Sequence, residues 1–321
     1  MSSPAPLSTG PHDQAGPPRL TTPDGVESTG LRARIRRRPL TWFFVMAYVL
    51  SWAAWTPYVL SENGLGILPF GFPALLGTTQ LLGVLPGAYL GPIFSAFVVT
   101  AMAQGRPGLR AWAGRLAKWR VSWRWYVAII VGVPAVLTVA LTTLGGTIPA
   151  VPSVAMLAAF LPGLILQMVT TGIAEEPGWR DFAMPLVQRR YGPLLGTLIV
   201  GPLWGAWHLP LFLTEWGGPH LTWEQPVEFI ITAIAFSFVM TWVFNRTGES
   251  LPLAMLLHTG VNNFFSLAAA EMFPRLTQQD TTQAFLFASI AVALVVLIAT
   301  RGRLGYRPAH SVDGALPEAT D

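Results

Sequence analysis

The sequence predicts an all-α fold: a polytopic transmembrane helical bundle of about eight spans with the N and C termini cytoplasmic. Three observations point there. Hydrophobic residues make up 52% of the 321 residues, charged residues only 11%, and the mean hydropathy is +0.49, whereas a soluble domain carries about a quarter charged residues. Several segments stay apolar over the ~17–25 residues that a spanning helix needs. The basic residues, finally, concentrate on one side of the membrane that those segments define.

Taken in order, residues 1–30 are rich in Pro, Ser, Thr and Gly and poor in large apolar side chains. Such a segment cannot bury enough surface to offset its ordering entropy, so a disordered N-terminal tail is expected. The transmembrane domain then runs over 31–305. Arg32, Arg34, Arg36, Arg37 and Arg38 precede an apolar segment at 40–60, which is too long and too far along the chain for a typical signal peptide. Residues 65–82 are apolar but interrupted by Pro69, Pro73 and several Gly, the pattern of an interfacial or re-entrant lead-in. Further spans are expected at 83–102, 125–147, 154–174, 192–213, 226–245, 250–270 and 281–300. Residues 306–321 read as a disordered C-terminal tail.

With Arg32 inside, 19 of the 20 Arg and Lys residues share one side, and Arg275 alone falls opposite. An odd number of spans would scatter these charges, so the positive-inside rule supports both the count and the orientation. Residues 106–124 interleave Arg106, Arg110, Arg115, Lys118, Arg120 and Arg124 with Trp112, Trp119 and Trp123, the composition of a basic helix at an anionic leaflet. Membrane lipids are therefore expected partners. The net charge of +4 and pI near 9.8 follow from topology signals, so no nucleic acid is expected. There is no Cys, which removes disulfides, thiolate metal sites and Cys nucleophiles from consideration.

Three polar elements interrupt the apolar helices. Glu175 and Glu176 sit at the end of the fourth span, in Glu175-Glu176-Pro177-Gly178-Trp179-Arg180. Paired carboxylates at the edge of hydrocarbon are costly without partners, and adjacent carboxylates repel, so a proton, a cation or Arg180 should balance them. Pro177 is expected to break the helix between Glu176 and Arg180. In the fifth span, Trp204 and His208 are spaced i, i+4 on one face, and Gly201 and Gly205 let a neighbouring helix approach closely, which turns His208 into the bundle. In the seventh span, His258 and Asn262 repeat the i, i+4 spacing. Each element alone could be helix capping, a packed His or interhelical glue.

In this order, EExxxR at 175–180, aromatic-xxx-His at 204–208 and HxxxN at 258–262 resemble the CPBP family of intramembrane proteases, which includes CAAX prenyl proteases, bacteriocin-processing enzymes and Abi-type members. The resemblance covers about 120–270. It implies an intramembrane endopeptidase that cleaves a membrane-associated, prenylated or leader peptide with water activated by Glu and His. It implies catalytic Glu175, Glu176, Arg180, His208, His258 and Asn262: Glu175 as general base, His208 holding the same water, His258 and Asn262 on the scissile carbonyl, and Glu176 with Arg180 orienting the base. The family pattern usually has Phe where Trp204 stands, and often other residues at Pro177, Gly178 and Asp181.

Glu175, His208 and His258 also form a candidate metal set, since one carboxylate and two imidazoles plus water are a common catalytic zinc shell. Activation with a divalent metal such as zinc and activation without metal both stay open, although no HExxH motif is present. The competing classes are a non-catalytic membrane immunity or scaffold protein and a transporter using the same buried polar residues. The expected setting is a multi-pass protein of a cell membrane, in a bacterium the cytoplasmic one. The sequence selects neither substrate nor oligomeric state.

Overall fold

In the computed structural model, residues 30–218 and 222–307 are described. The expected tails at 1–30 and 306–321 lie outside these residues except for Gly30, Tyr306 and Arg307. The described residues form helices joined by short connections, with a single isolated β-bridge between Leu75 and Thr78. The bundle is thus all-α. Among the described residues, seven helical elements are long and apolar enough to cross a membrane.

The fourth element, Val154–Leu213, has 60 residues and would be ~90 Å long if straight, three times the ~30 Å of a hydrocarbon core. It is broken at Gly192, where φ is 79° and ψ 166°, a left-handed conformation open to Gly. This break divides it into the two spans that the sequence separates. The transmembrane helices are accordingly α1 (Pro39–Leu60), α2 (Leu85–Leu116), α3 (Trp123–Gly145), α4 (154–191), α5 (193–213), α6 (Glu224–Arg246), α7 (Leu251–Met272) and α8 (Gln278–Thr300). A short helix, Leu31–Arg37, carries the arginine run.

Contacts between the connections sort into two sets, as alternate threading requires. On the arginine-rich face, Arg32 Nε donates to the Met102 carbonyl (3.1 Å), Ser250 Oγ to the Lys118 carbonyl (2.7 Å), and Asn245 Nδ2 to the Leu304 carbonyl (3.1 Å). On the opposite face, Asn63 Nδ2 donates to Glu215 Oε1 (2.9 Å), the Ser153 amide to Glu271 Oε1 (2.6 Å), and the Ala150 amide to the Met272 carbonyl (2.7 Å). No contact in either set joins the two faces.

Helices α6 and α7 form the centre, with 61% and 67% of their most apolar windows buried, against 17% for α3 and 22% for α8. Lipid is as apolar as Leu, so close packing rather than water exclusion must hold such helices together. Small residues provide it. Gly83, Gly87 and Gly91, spaced four apart, bring the start of α2 against Tyr58, Trp55 and Ser51 of α1. A Cβ on Gly201 or Gly205 would lie 3.0 Å from the Cα of Ile234 or Ile230, so α5 and α6 meet backbone to backbone where the sequence places a close approach.

Two local expectations change. Pro177 does not break α4: Glu176 and Pro177 keep helical dihedrals (φ −65°, ψ −32°; φ −59°, ψ −28°), and the chain widens into π-helical turns at Met168–Gly172 and Pro177–Ala183. A proline lacks the N–H and crowds the carbonyl four residues back, and a wider turn relieves both without ending the helix. The basic segment is not wholly interfacial either. A kink at Gly105 (φ 65°) separates it from the span. Trp119 and Trp123 are exposed, as an anchor requires, but Trp112 is buried and its Nε1 donates to the Pro177 carbonyl (3.0 Å).

Candidate active site

Helices α4, α5, α6 and α7 bring five of the six site residues together at mid-bundle. Glu175 and Glu176 lie on one helical turn, Ile173–Glu176, held between the two π-helical segments. Gly178 follows directly, and a Cβ there would meet the Pro92 carbonyl at 2.7 Å, so α2 presses against the turn that carries the carboxylates. Both Glu side chains, Arg180, His208 and His258 are buried.

The carboxylates face different partners. Glu175 Oε2 accepts the Trp204 indole N–H at 2.8 Å and lies 3.9 Å from His208 Nε2. Glu176 Oε1 accepts His258 Nδ1–H at 2.8 Å, while its Oε2 is paired with Arg180 Nε at 3.5 Å. Arg180 Nη2 donates to Ser237 Oγ of α6 (3.0 Å), and its guanidinium sits 4.9 Å above the Trp204 ring. The repulsion between adjacent carboxylates is thereby divided, one being bound by an indole N–H and the other by an imidazole and a guanidinium. In low dielectric, such charge-assisted bonds are stronger than in water.

His208 ends α5. Its Nδ1 is 3.0 Å from the Trp204 carbonyl, which only accepts, so Nδ1 carries a proton and Nε2 is directed to Glu175. Trp216 stacks on the imidazole (5.6 Å between ring centroids, 16° between planes) and Phe229 meets it edge-on at 4.9 Å, which fixes its orientation. In His258, with Nδ1 committed to Glu176, the free ring nitrogen is Nε2.

Asn262 stands apart. It is half-buried, makes no hydrogen bond among the described residues, and lines a cavity of about 490 Å³ with Phe229, Thr232 and Gln278. Its neighbour Asn263 turns instead to α4 and donates to the Phe160 carbonyl (2.9 Å). Among the described residues, no group of three or more His, Asp or Glu side chains is arranged to hold a metal ion. In the set Glu175, His208 and His258, one Glu175 oxygen is bound to Trp204 and each imidazole has one nitrogen committed elsewhere.

Sequence spacing did not assign three contributors. Trp204 was placed on the His208 face, yet its bond to Glu175 joins two helices. Ser237 is a lone hydroxyl in an apolar helix. Arg115 reaches Asp181, forming an ion pair with its carboxylate and donating Nη2–H to its carbonyl at 3.2 Å. Asp181 is a buried carboxylate one residue beyond Arg180, and that burial is the only signal of its need for a partner.

Part of the chain is similar to known proteins. Residues 157–264 match the family model described as type II CAAX prenyl endopeptidase Rce1-like, and all six residues fall within the match. A similar curated protein, CAAX prenyl protease 2 of Methanococcus maripaludis, is 26% identical over 107 residues, 32% of this chain and 39% of that relative. The match thus spans well under half of the relative's length. Residues 157–264, which hold the paired carboxylates, both histidines and their partners, are thus similar to the type II CAAX prenyl endopeptidases described as Rce1-like.

Proposed function

We propose that this chain is an intramembrane endopeptidase that hydrolyses a peptide bond of a membrane-associated peptide, with Glu175 activating the attacking water. The observation that carries this reading is the Glu175–His208 pair. A carboxylate pinned by Trp204 lies 3.9 Å from an imidazole nitrogen pinned by a backbone carbonyl, a separation at which one water beside the pair can hydrogen-bond to both atoms. In the reaction, the water oxygen bonds to the scissile carbonyl carbon as its proton passes to Glu175. The oxyanion accepts a hydrogen bond from doubly protonated His258, through Nε2–H. As the tetrahedral intermediate collapses, the C–N bond breaks and the proton on Glu175 passes to the leaving amine. Glu176 and Arg180 act behind His258 as positioning residues.

No step here is routed through a metal ion; Glu175 Oε1 and the Nε2 atoms of His208 and His258 are the atoms that would hold one, where it would polarise the scissile carbonyl or the attacking water. Prenylated peptides are the substrate type that the relative's name carries, and leader peptides are the second type to test. The test uses the purified, detergent-solubilised chain with a library of leader peptides and farnesylated peptides. Wild-type protein cleaves at least one class with or without chelator, whereas Glu175→Ala and His208→Ala are folded and inactive. Cleavage by Glu175→Ala, loss of wild-type cleavage on chelation, or no cleavage by folded wild-type protein would each overturn the reading.

A further inference from the structure

We infer that the basic segment at 106–124 is a docking surface for anionic phospholipid headgroups, and that docking there holds the turn carrying the Glu pair in its working geometry. The docking surface stands on its own observations, whereas its effect on cleavage rests on the protease reading above and gives that site its regulation.

The segment has two faces. After the kink at Gly105 (φ 65°), Arg106 and Arg110 lie one turn apart, and the helical period sets them across the helix from Trp112 and Arg115. Arg106, Arg110, Arg120 and Arg124 are exposed, and none has an acidic partner among the described residues. The two acidic residues that the segment does reach, Asp181 and Glu249, are both on Arg115, which is ion-paired with the first and 3.9 Å from Oε2 of the second. Four like charges repel one another unless an outside anion offsets them. Trp119 and Trp123, also exposed, identify the source of that anion, because indoles seat at the headgroup level of a bilayer. The counter-charge is therefore in the leaflet, where each added basic residue strengthens binding roughly fivefold.

The inward face is fastened to the catalytic turn at two points. Trp112 Nε1 donates to the Pro177 carbonyl at 3.0 Å, and Arg115 pairs with the Asp181 carboxylate and donates Nη2–H to the Asp181 carbonyl at 3.2 Å. Pro177 directly follows Glu176 and Asp181 directly follows Arg180, so the two fastenings flank the buried Glu176–Arg180 pair. Between them the chain is π-helical over Pro177–Ala183, a rare geometry usually limited to one turn, and its shape leans on what grips it. A further bond, from Ser250 Oγ to the Lys118 carbonyl (2.7 Å), joins the segment to the start of α7, the helix of His258. Pressed onto an anionic leaflet, the segment keeps these grips. On a neutral leaflet, the repulsion among its arginines loosens them.

The test uses the purified full chain reconstituted in vesicles of phosphatidylcholine alone or of equal parts phosphatidylcholine and phosphatidylglycerol. The chain has no Cys, and a Cβ at exposed Gly114 would meet nothing within 4 Å, so Gly114→Cys can carry an environment-sensitive fluorophore. Its emission is expected to shift to the blue in the anionic vesicles and to return at high salt. The folded quadruple variant Arg106→Gln/Arg110→Gln/Arg120→Gln/Arg124→Gln should lose that shift. Equal emission in both vesicles, or a shift that survives in the quadruple variant, overturns the docking surface. Cleavage is read with an uncharged peptide, which the lipid charge does not concentrate. Loosening one hydrogen bond such as that of Trp112 corresponds to roughly two- to twelvefold in rate, so kcat should be higher by that factor in anionic vesicles, with KM unchanged. Trp112→Phe keeps the ring and removes the N–H; it should retain the blue shift while its kcat ratio falls toward one. An equal kcat for wild type in both vesicles, or a wild-type ratio in Trp112→Phe, overturns the link between docking and the site. No cleavage in detergent or in either vesicle overturns the protease reading, and the fluorophore then decides the docking surface by itself.

Discussion

Glu176→Gln changes one charge at the centre of the bundle and almost nothing in shape. Glu176 Oε1 accepts His258 Nδ1–H at 2.8 Å and Oε2 faces Arg180 Nε at 3.5 Å, with both side chains fully buried. The amide oxygen still accepts from His258, but a neutral acceptor forms a bond about half as strong as a charged one. Hydrogen bonds to charged groups contribute ~1.5–3 kcal/mol, so His258 loses about 0.75–1.5 kcal/mol of orientation, or roughly three- to twelvefold in rate. Arg180 loses its carboxylate, and breaking a buried pair costs up to ~3–5 kcal/mol of stability. Steady-state cleavage by purified protein is expected to show kcat reduced roughly three- to twelvefold with KM unchanged, and the thermal midpoint should fall. An unchanged kcat would mean that the pair is structural only. A loss as deep as that of Glu175→Gln would place Glu176 among the reacting groups and refute its assignment as a positioning residue.

Trp204→Phe keeps an aromatic ring over Arg180 but removes the N–H that holds Glu175 Oε2. At ~1.5 kcal/mol for one bond to a charged group, kcat should drop about tenfold, and full activity would show that this bond does not orient the base. Gly205→Leu inserts a side chain where even a Cβ lies 3.0 Å from the Ile230 Cα, whereas Gly260→Ala meets only Val133 Cγ1 at 3.9 Å. Fluorescence-detected size exclusion after heating should show Gly205→Leu destabilised by ~1–3 kcal/mol or more and Gly260→Ala unaffected; equal behaviour would contradict the close contact of α5 and α6. Arg115→Ala leaves the Asp181 carboxylate buried without its cation, and the thermal midpoint should fall as for a broken buried pair. The double variant Arg115→Ala/Asp181→Asn should recover most of that loss, and no recovery would rule out the ion pair as its cause.

Features fixed within one helix were legible in the sequence. Apolar length located the spans, the Arg distribution sorted their connections, Gly201 and Gly205 marked a close approach, and i, i+4 spacing aligned Trp204 with His208. Features that join helices were not. No spacing rule connects Trp204 to Glu175, 29 positions away, or Trp112 to Pro177, 65 positions away. The basic segment therefore read as an anchor, although Trp112 and Arg115 turn inward. Pro177 read as a break because proline cannot continue an α-helical ladder, and the alternative, a π-helical turn, leaves no compositional mark. Arg180 was counted among the topology charges, but it is buried beside Glu176, where its partner rather than the membrane potential sets its place. The sequence ended the fourth span at 174, whereas the helical path continues to 191, and the residue at which it breaks, Gly192, was one Gly among 31.

The most direct test of the account is the cleavage rate of Glu175→Gln relative to wild type, measured on the same peptide with both proteins shown to share one thermal midpoint. Loss of a general base predicts a kcat lower by at least ~100-fold with peptide binding retained. A Glu175→Gln protein that keeps a tenth or more of wild-type kcat would contradict water activation by Glu175 and with it the proposed function.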